Sequence, residues 1–379
     1  HCQLRDAIRS VLQLHTLAHT ECLALLQDVS PILVDVGCIN AEQVCGGEMP
    51  GEAITAMRSS LCLLGALIGR CGELVMEYPG GCVIGDRPID LHMNALAQMG
   101  VTFKEEAGKL HASASNLHGA EIVLPIPSVG ATENILLAAV MAEGETVIGG
   151  AAIEPEVVAL CEYLKCCGAV IEGEGSSRSI VRGGRELYGV SFSVPADRIV
   201  AGTYLFGCLG CGGNVFLEKA PTEHMTEVVR VAEALGAQCV TAKDGLYVQA
   251  PKRVEAIPYL QTEVYPGFPT DLQAMLMVAL CKAGGVSSIE ETVFEDRFRH
   301  VEALRRMGAR ITVQGSRATI RGGSRLKAAD LWATDLRAGA AMVLAGLCSE
   351  GVSRVYNLEH VRRGYESLSR DLLALGAHI

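Results

Sequence analysis

Residues 304–309 read LRRMGA, and the architecture of the chain can be worked out from this short stretch. Its apolar residues are spaced as on one face of a helix, and a glycine follows where helices commonly end in a left-handed turn. Related endings occur as LAQMGV at 96–101, LKCCGA at 164–169, AEALGA at 232–237 and LLALGA at 372–377. The five glycines are 68 or 72 residues apart, so the sequence contains a long internal repeat.

A second series of helix endings alternates with the first, with glycines at positions 72, 144, 213, 285 and 351. Each unit of about 70 residues therefore contains two helices and the β-type segments that follow them. This interval is too long for a solenoid repeat, so we predict a small α/β module that is used several times. The beginning is irregular, with a helix predicted near residues 4–14, a strand near residues 32–36 and connecting structure over most of residues 16–52.

Composition limits the possible classes of protein. A chain of 379 residues with 49% hydrophobic and 20% charged residues can build two cores and is not disordered. The net charge of −11 argues against a nucleic acid or an anionic membrane as the partner. The longest apolar run, near residues 135–142, is too short to span a bilayer, and no secretory leader is recognised. An anionic substrate would therefore need a local cluster of arginines.

The fifteen cysteines are interpreted as free thiols in a reducing compartment. Cys208 and Cys211 have the spacing of a redox pair, but they lie in an apolar run and no second pair stands at zinc-finger spacing from them. Core packing is the favoured interpretation, with redox or metal chemistry as the alternative.

Residues 79–90 read PGGCVIGDRPID, which is typical of a surface loop with unusual backbone angles. Cys82 lies five residues before Arg87, and an exposed cysteine in a positive field is a candidate proton donor or nucleophile. On chemistry alone, a glycine-rich hairpin with a bystander cysteine is equally plausible.

Two predicted helix starts could also contribute binding or catalytic residues. Residues 128–132 (SVGAT) would form the first turn of a buried helix, whose free N–H groups could bind a phosphate or could simply be capped. Asp271, in FPTDLQA at 268–274, could be a capping residue, since ATDLRA at 333–338 repeats the pattern. The repeat does not explain why Arg337 stands where the other copy has Gln273, and this difference indicates a specialised function.

Five arginines stand at corresponding ends of the repeated modules, and together they could bind carboxylate and phosphate groups in a bidentate manner. They are Arg58, Arg87, Arg297, Arg337 and Arg363.

At this point the motifs resemble a known family. Residues 79–92 (PGGCVIGDRPIDLH) resemble the signature loop of the enolpyruvyl transferases that act on UDP-N-acetylglucosamine. Further segments agree in order and spacing, namely SVGAT at 128–132, PADRI at 195–199, FPTDLQA at 268–274, ETVFEDRF at 291–298, ATDLRA at 333–338 and RGYE at 363–366. The resemblance covers the chain from about residue 51 to its end.

The resemblance implies a fold and a reaction. The fold would be an inside-out α/β barrel of two domains, residues 1–196 and 197–379, built from βαβαββ units. The reaction would transfer the enolpyruvyl group of phosphoenolpyruvate to the 3′-hydroxyl of UDP-N-acetylglucosamine and release phosphate. This is the first committed step of bacterial peptidoglycan synthesis and takes place in the cytoplasm. No metal or organic cofactor is implied, and the only expected partners are the two substrates.

The resemblance also implies roles for residues. Cys82 would donate a proton to the methylene carbon of phosphoenolpyruvate, Asp271 would take the proton of the sugar hydroxyl, and Arg363 would stabilise the intermediate. Arg87 and Arg337 would help to hold the phosphate and carboxylate. The remaining substrate-binding residues would be Arg58, Pro88, Ile89, Asp90, Leu91, Ser128, Val129, Gly130, Val293, Arg297 and Asp335.

Two departures from the family pattern keep an alternative open. A Lys-Asn motif found near the start of the family is missing, which suggests a missing N-terminal segment, and Asp86 stands where a small residue is usual. The alternative is a catalytically impaired paralogue that binds UDP-N-acetylglucosamine or regulates the active enzyme. The sister enzyme acting on shikimate 3-phosphate is disfavoured, because its own motif is absent and it lacks the loop cysteine.

Overall fold

The structure is a computed structural model that describes residues 46–49, 51, 54, 58–79 and 88–379. The chain forms two compact units, and along the main part of the chain they divide between Pro195 and Ala196. The helix and strand predicted for residues 4–14 and 32–36, and the loop residues Cys82 and Arg87, lie outside the described residues.

In the first unit a 3-10 turn at Arg58–Cys62 leads into the first helix that the structure describes in full. The helices are α1 (Leu63–Cys71), α2 (Asp90–Gln98), α3 (Val129–Ala139) and α4 (Pro155–Cys166). The strands are β1 (Glu73–Glu77), β2 (Thr102–Glu106), β3 (Lys109–Ser113), β4 (Glu121–Val123), β5 (Glu145–Gly149), β6 (Val170–Glu172) and β7 (Arg178–Arg182).

The second unit repeats this alternation. Its helices are α5 (Arg198–Cys211), α6 (Thr226–Ala234), α7 (Gln273–Leu280), α8 (Val301–Arg306), α9 (Leu336–Leu347), α10 (Glu359–Arg362) and α11 (Leu368–Ala374). Its strands are β8 (Asn214–Glu218), β9 (Gln238–Ala242), β10 (Gly245–Gln249), β11 (Leu260–Gln261), β12 (Val286–Glu290), β13 (Arg310–Gln314), β14 (Arg317–Arg321), β15 (Asp330–Trp332) and β16 (Arg354–Tyr356).

The sheets show how one module is built. In the order β4-β5-β7-β6, the first two strands are parallel and joined through α3, while β6 and β7 form an antiparallel hairpin. The sheet β11-β12-β14-β13 has the same order and the same strand directions. Each of these modules therefore reads βαβαββ along the chain. The mixed α/β class and the repeated module predicted from sequence are confirmed.

The predicted glycine endings are also confirmed. All ten series glycines have positive φ, for example 99° at Gly308. In the first series the residue after each glycine donates its N–H to the carbonyl five positions earlier, as Ala309 does to Leu304 at 2.9 Å. This bond is the mark of a Schellman turn, which uses carbonyl groups that the helix leaves unpaired.

Each unit has its own hydrophobic core. In the second unit α5, α7 and α9 pack against one another, and every residue of α7 is buried. In the first unit α3 is buried along nearly its whole length. Because these helices are enclosed by their modules, only their ends can face a ligand. In the part of the chain that the structure describes, no helix has the length and apolar character needed to cross a bilayer.

Candidate functional site

Three packed helices of the second unit begin close to an aspartate. At the start of α5, Asp197 accepts hydrogen bonds from the N–H groups of Ile199 and Val200 at 2.6 and 3.1 Å. At the start of α9, Asp335 accepts them from residues 337 and 338, both at 3.0 Å. Helix α7 begins without a side-chain cap. Asp271 therefore does not share the capping role of its counterparts.

Asp271 is paired with two arginines instead. Arg297 donates from Nη2 to Oδ1, and Nη2 of Arg337 lies 3.5 Å from Oδ2. The side chains of Arg297 and Arg337 are only 6% and 13% exposed, whereas that of Asp271 is 39% exposed. Two nearly buried cations thus hold one partly accessible carboxylate.

Arg337 is fixed from its other side by an aromatic residue. Its Nη1 lies 3.4 Å from the hydroxyl of Tyr365, and its guanidinium lies 5.7 Å from the centre of that ring. The Tyr365 hydroxyl also lies 2.8 Å from Oγ1 of Thr203 on α5. Burial opposes the charge of Arg337, but Asp271, Tyr365 and Asp197 outweigh this effect and raise its pKa. Arg337 is therefore a permanent cation.

A buried glutamate after β12 holds the neighbouring loop in place. Glu291 accepts a hydrogen bond from the Thr270 hydroxyl at 2.9 Å and another from the N–H of Val293 at 2.9 Å. The guanidinium of Arg297 lies 5.6 Å from the ring centre of Phe294. The structure thus brings two predicted binding residues, Val293 and Arg297, to the same place as Asp271.

Two other residues predicted for this unit are placed differently. Asp335 is 6% exposed, and its Oδ1 accepts both hydrogen bonds of the α9 cap, so its observed role is structural. Arg363 is half-buried after α10 and lies two residues before Tyr365. Among the residues that the structure describes, it makes no hydrogen bond or ion pair.

In the first unit, three predicted binding segments come together. Arg58 donates from Nη2 to the carbonyl of Pro88 at 3.1 Å, just before α2 begins at Asp90. One turn later, Nδ1 of His92 lies 2.8 Å from Nδ2 of Asn134 on α3. The His92 ring also lies against Gly130, where a Cβ would be 3.0 Å from its Cε1. Arg58, the start of α2 and the start of α3 therefore form one group.

The first turn of α3 contains backbone N–H groups that could bind a ligand. Ser128 caps the helix by accepting the N–H of Ala131 at 3.3 Å. The first N–H groups of a helix have no intrahelical acceptor, so those of Val129 and Gly130 can bind an anion. The sequence left open whether this segment is a cap or an anion site, and its geometry is compatible with both.

The start of α2 presents alternate side chains to solvent. Asp90 is exposed and Leu91 is half-buried, whereas Ile89 is 8% exposed and belongs to the core. A ligand beside Ile89 would therefore meet its backbone.

His92 is held neutral in this group. Burial, with a smaller contribution from the nearby charge of Arg58, lowers its pKa to about 4. A neutral imidazole is well suited to a hydrogen bond with the amide of Asn134. The side-chain amide of Asn134 also contacts the backbone of Leu61 and Gly65, at 3.0 and 2.6 Å, and so fixes the turn before α1.

Sequence reasoning missed the residues that position the predicted ones, namely Thr203, Tyr365, Glu291, His92 and Asn134. A signal was present for Asn134, because a lone amide in the apolar run ENILLAA needs a partner once it is buried. Cys211 was also misjudged, since it is exposed, while Cys208 is buried as predicted.

Comparisons with known proteins show the family of the chain. The family model for EPSP synthase (3-phosphoshikimate 1-carboxyvinyltransferase) matches residues 8–372. The chain is 43% identical to a UDP-N-acetylglucosamine 1-carboxyvinyltransferase of Halalkalibacterium halodurans over 90% of its own length and 78% of the relative. It is 44% identical to the enzyme of that name from Granulibacter bethesdensis over 89% of its own length and 80% of the relative.

Solved structures share the fold at lower identity. The enolpyruvyl transferase NikO from Streptomyces tendae is 21% identical with a TM-score of 0.85, and the match covers 99% of this chain and 94% of NikO. EPSP synthase from Acinetobacter baumannii is also 21% identical with a TM-score of 0.65, covering 88% of this chain and 79% of that enzyme. At more than 40% identity over most of its length, the chain belongs to the enolpyruvyl transferases and, among them, to the family of the UDP-N-acetylglucosamine 1-carboxyvinyltransferases.

Proposed function

We propose that the chain transfers the enolpyruvyl group of phosphoenolpyruvate to the 3′-hydroxyl of UDP-N-acetylglucosamine and releases phosphate. The observation that carries this proposal is the identity of 43 to 44% with enzymes named for that activity. The paired arginines around Asp271 supply chemistry that fits the reaction, because both substrates are anions.

The second unit provides the base and the positive charge. Asp271 accepts the proton of the sugar hydroxyl while that oxygen bonds to carbon 2 of phosphoenolpyruvate. The hydroxyl becomes acidic as the new bond forms, so its proton passes to the carboxylate while that bond is made. Arg337 and Arg363 face the carboxylate and phosphate of the same substrate and stabilise the tetrahedral intermediate.

The glycine-rich loop provides the acid. In this proposal Cys82 gives a proton to carbon 3 of phosphoenolpyruvate, and Arg87 binds the phosphate. Loss of a proton from carbon 3 and departure of phosphate from carbon 2 then restore the double bond. These two roles rest on the sequence resemblance.

The first unit binds the nucleotide sugar. Arg58 and the N–H groups of Val129 and Gly130 face the diphosphate, and residues 88–91 contact the base. Val293 and Arg297 also bind the UDP-sugar, as the sequence resemblance implies. Asp335 acts on the substrate only indirectly, through the start of α9.

We also propose the finer architecture and setting of the family for this chain. The two domains, residues 1–196 and 197–379, form the inside-out α/β barrel, and the reaction takes place in the bacterial cytoplasm as part of cell-wall synthesis. The βαβαββ order of the described modules supports the first part.

Phosphate release tests the proposal. The chain is incubated with phosphoenolpyruvate and UDP-N-acetylglucosamine, and shikimate 3-phosphate replaces the sugar nucleotide in a parallel reaction. We expect release only with the sugar nucleotide, and its loss with fosfomycin, which alkylates the family's loop cysteine. Release that persists in Cys82→Ser and resists fosfomycin would remove Cys82 from its role.

The alternative hypothesis, a catalytically impaired paralogue, predicts a different result. It would bind UDP-N-acetylglucosamine, visible by calorimetry, without any release of phosphate. The relatives' names do not favour this reading.

A further inference from the structure

Two thiols of the second unit lie side by side at the carboxyl ends of packed helices. Cys211 is the last residue of α5, and Cys348 directly follows α9. Their Sγ atoms are 3.3 Å apart, although the residues are separated by 137 positions in sequence. Cys211 is exposed and Cys348 is half-buried, so the pair can be reached from solvent.

The packing of the two helices makes room for this pair. A Cβ at Gly210 would lie only 2.9 Å from Sγ of Cys348, so the glycine lets that thiol lie against the backbone of α5. The nearby Cys208 takes no part, because it is buried and its thiol faces the carbonyl of Gly213 at 3.5 Å. The arrangement therefore concerns Cys211 and Cys348 rather than the Cys-x-x-Cys spacing.

A lysine supplies positive charge beside the pair. Lys282 donates to the carbonyl of Gly210 at 2.7 Å, next to Cys211 in the chain. A hydrogen bond from Cys348, assisted by the charge of Lys282 and opposed by burial, lowers the pKa of Cys211. The same hydrogen bond, with burial, raises the pKa of Cys348. Because Cys211 is the exposed member of the pair and lies next to the carbonyl that Lys282 contacts, it is the attacking thiolate, and Cys348 is the thiol that follows it.

We propose that Cys211 and Cys348 form a redox-active dithiol, a modification site whose reactant is a low-molecular-weight disulfide. The Cys211 thiolate attacks one sulfur of that disulfide and expels a thiolate, which leaves a mixed disulfide on Cys211. Cys348 then loses its proton and attacks Sγ of Cys211, which expels the second thiolate. Two protein thiols are oxidised to one disulfide, and the small disulfide is reduced to two thiols.

The geometry favours the second step. A disulfide needs its sulfur atoms about 2.05 Å apart, so the two Sγ atoms have to approach by only about 1 Å. The bond would tie the carboxyl ends of α5 and α9 together, away from the ends that carry Asp197 and Asp335. The site does not depend on the proposed transfer reaction.

Peptide mapping of the full chain tests the proposal. The protein is equilibrated with glutathione and glutathione disulfide at several ratios, quenched in acid, alkylated and digested without reduction. We expect the peptides of Cys211 and Cys348 as one linked pair, in an amount that follows the redox ratio and is lost with dithiothreitol. Cys82 lies in a separate peptide, so its modification is counted separately.

The variants Cys348→Ser and Cys166→Ser provide the controls. In Cys348→Ser nothing can resolve the mixed disulfide, so Cys211 should carry glutathione. Cys166 is exposed and the next residue, Cys167, is buried, so in the wild type Cys166 should retain glutathione, and Cys166→Ser should leave the linked pair unchanged. The proposal is overturned if the wild type shows no linked pair of Cys211 and Cys348 at any of the glutathione ratios. Because the linked pair is read in the wild type, the result does not depend on how the variants fold.

Discussion

Asp271 and Asp335 stand at the same place in two copies of one module, yet they do different work. Both lie in a Thr-Asp-Leu sequence, and from sequence alone both could be helix caps. What separates them is Arg297, which comes from 26 positions further along the chain and binds Asp271. Local sequence marked both aspartates as candidates, but it could not distinguish their surroundings, because the deciding partner is brought in by the fold.

Replacing Asp271 by Asn tests its chemical role. Asparagine preserves the shape but cannot act as a base, so we expect kcat to fall by about 10²- to 10⁴-fold, with a much smaller change in the KM for UDP-N-acetylglucosamine. Steady-state phosphate release gives both constants. Asp335→Asn is the matched control, and because asparagine caps helices about as well as aspartate, we expect little change in kcat or in stability. Equal losses of kcat in the two variants would contradict the assignment.

Tyr365 should act by positioning Arg337. Tyr365→Phe keeps the ring under the guanidinium but removes the hydroxyl that links Arg337 to Thr203, so we expect kcat to fall about 5-fold. Tyr204→Phe is the matched control, since the Tyr204 hydroxyl bonds to Asp371 at 2.8 Å instead. An unchanged kcat in Tyr365→Phe, measured with the same assay, would show that the ring alone positions Arg337.

At the scale of elements, the repeat made the helices and hairpins predictable. A glycine after an amphipathic segment is a strong signal because few other residues adopt the left-handed turn. The contact between Cys211 and Cys348 was not predictable in this way, since the repeat gives the helices but not how their ends meet.

Gly308→Ala measures the contribution of one helix ending. A Cβ at this position would meet nothing closer than the Arg325 carbonyl at 3.5 Å, so the effect should come from the positive φ of 99°. We expect the free energy of unfolding in urea to fall by about 1 kcal/mol. Gly149→Ala, where φ is ordinary and a Cβ would have van der Waals contacts, should stay within about 0.5 kcal/mol of the wild type. A loss as large in the control would mean that the backbone angle is not the cause.

For the whole molecule, two buried histidines should make stability depend on pH. Burial lowers the pKa of both His92 and His300 to about 4, against about 6.5 in the unfolded chain. The unfolded chain therefore binds more protons below pH 6.5. The contribution of the two neutral histidines to the free energy of unfolding is fully present above pH 6.5, and it is lost as the pH falls towards 4.

The loss between pH 7 and pH 5.5 should be about 1 kcal/mol for each histidine. Urea unfolding at the two values measures it, and His300→Gln should lose about 1 kcal/mol less over this interval than the wild type. His378→Gln, at an exposed position, should behave as the wild type does. An identical loss in His300→Gln would show that this residue does not titrate on unfolding.

The aspartates near the starts of α5, α7 and α9 have a consequence for how such a protein can change. A protein built from one module would lose its only capped helix start if the capping residue took on a catalytic role. Here the starts of α5 and α9 remain capped, while α7 begins without a side-chain cap. Redundancy in the scaffold thus leaves one position free to vary. New reactivity would be easiest to engineer beside Asp197, where the backbone already has the right form and only the side chains around it would need to change.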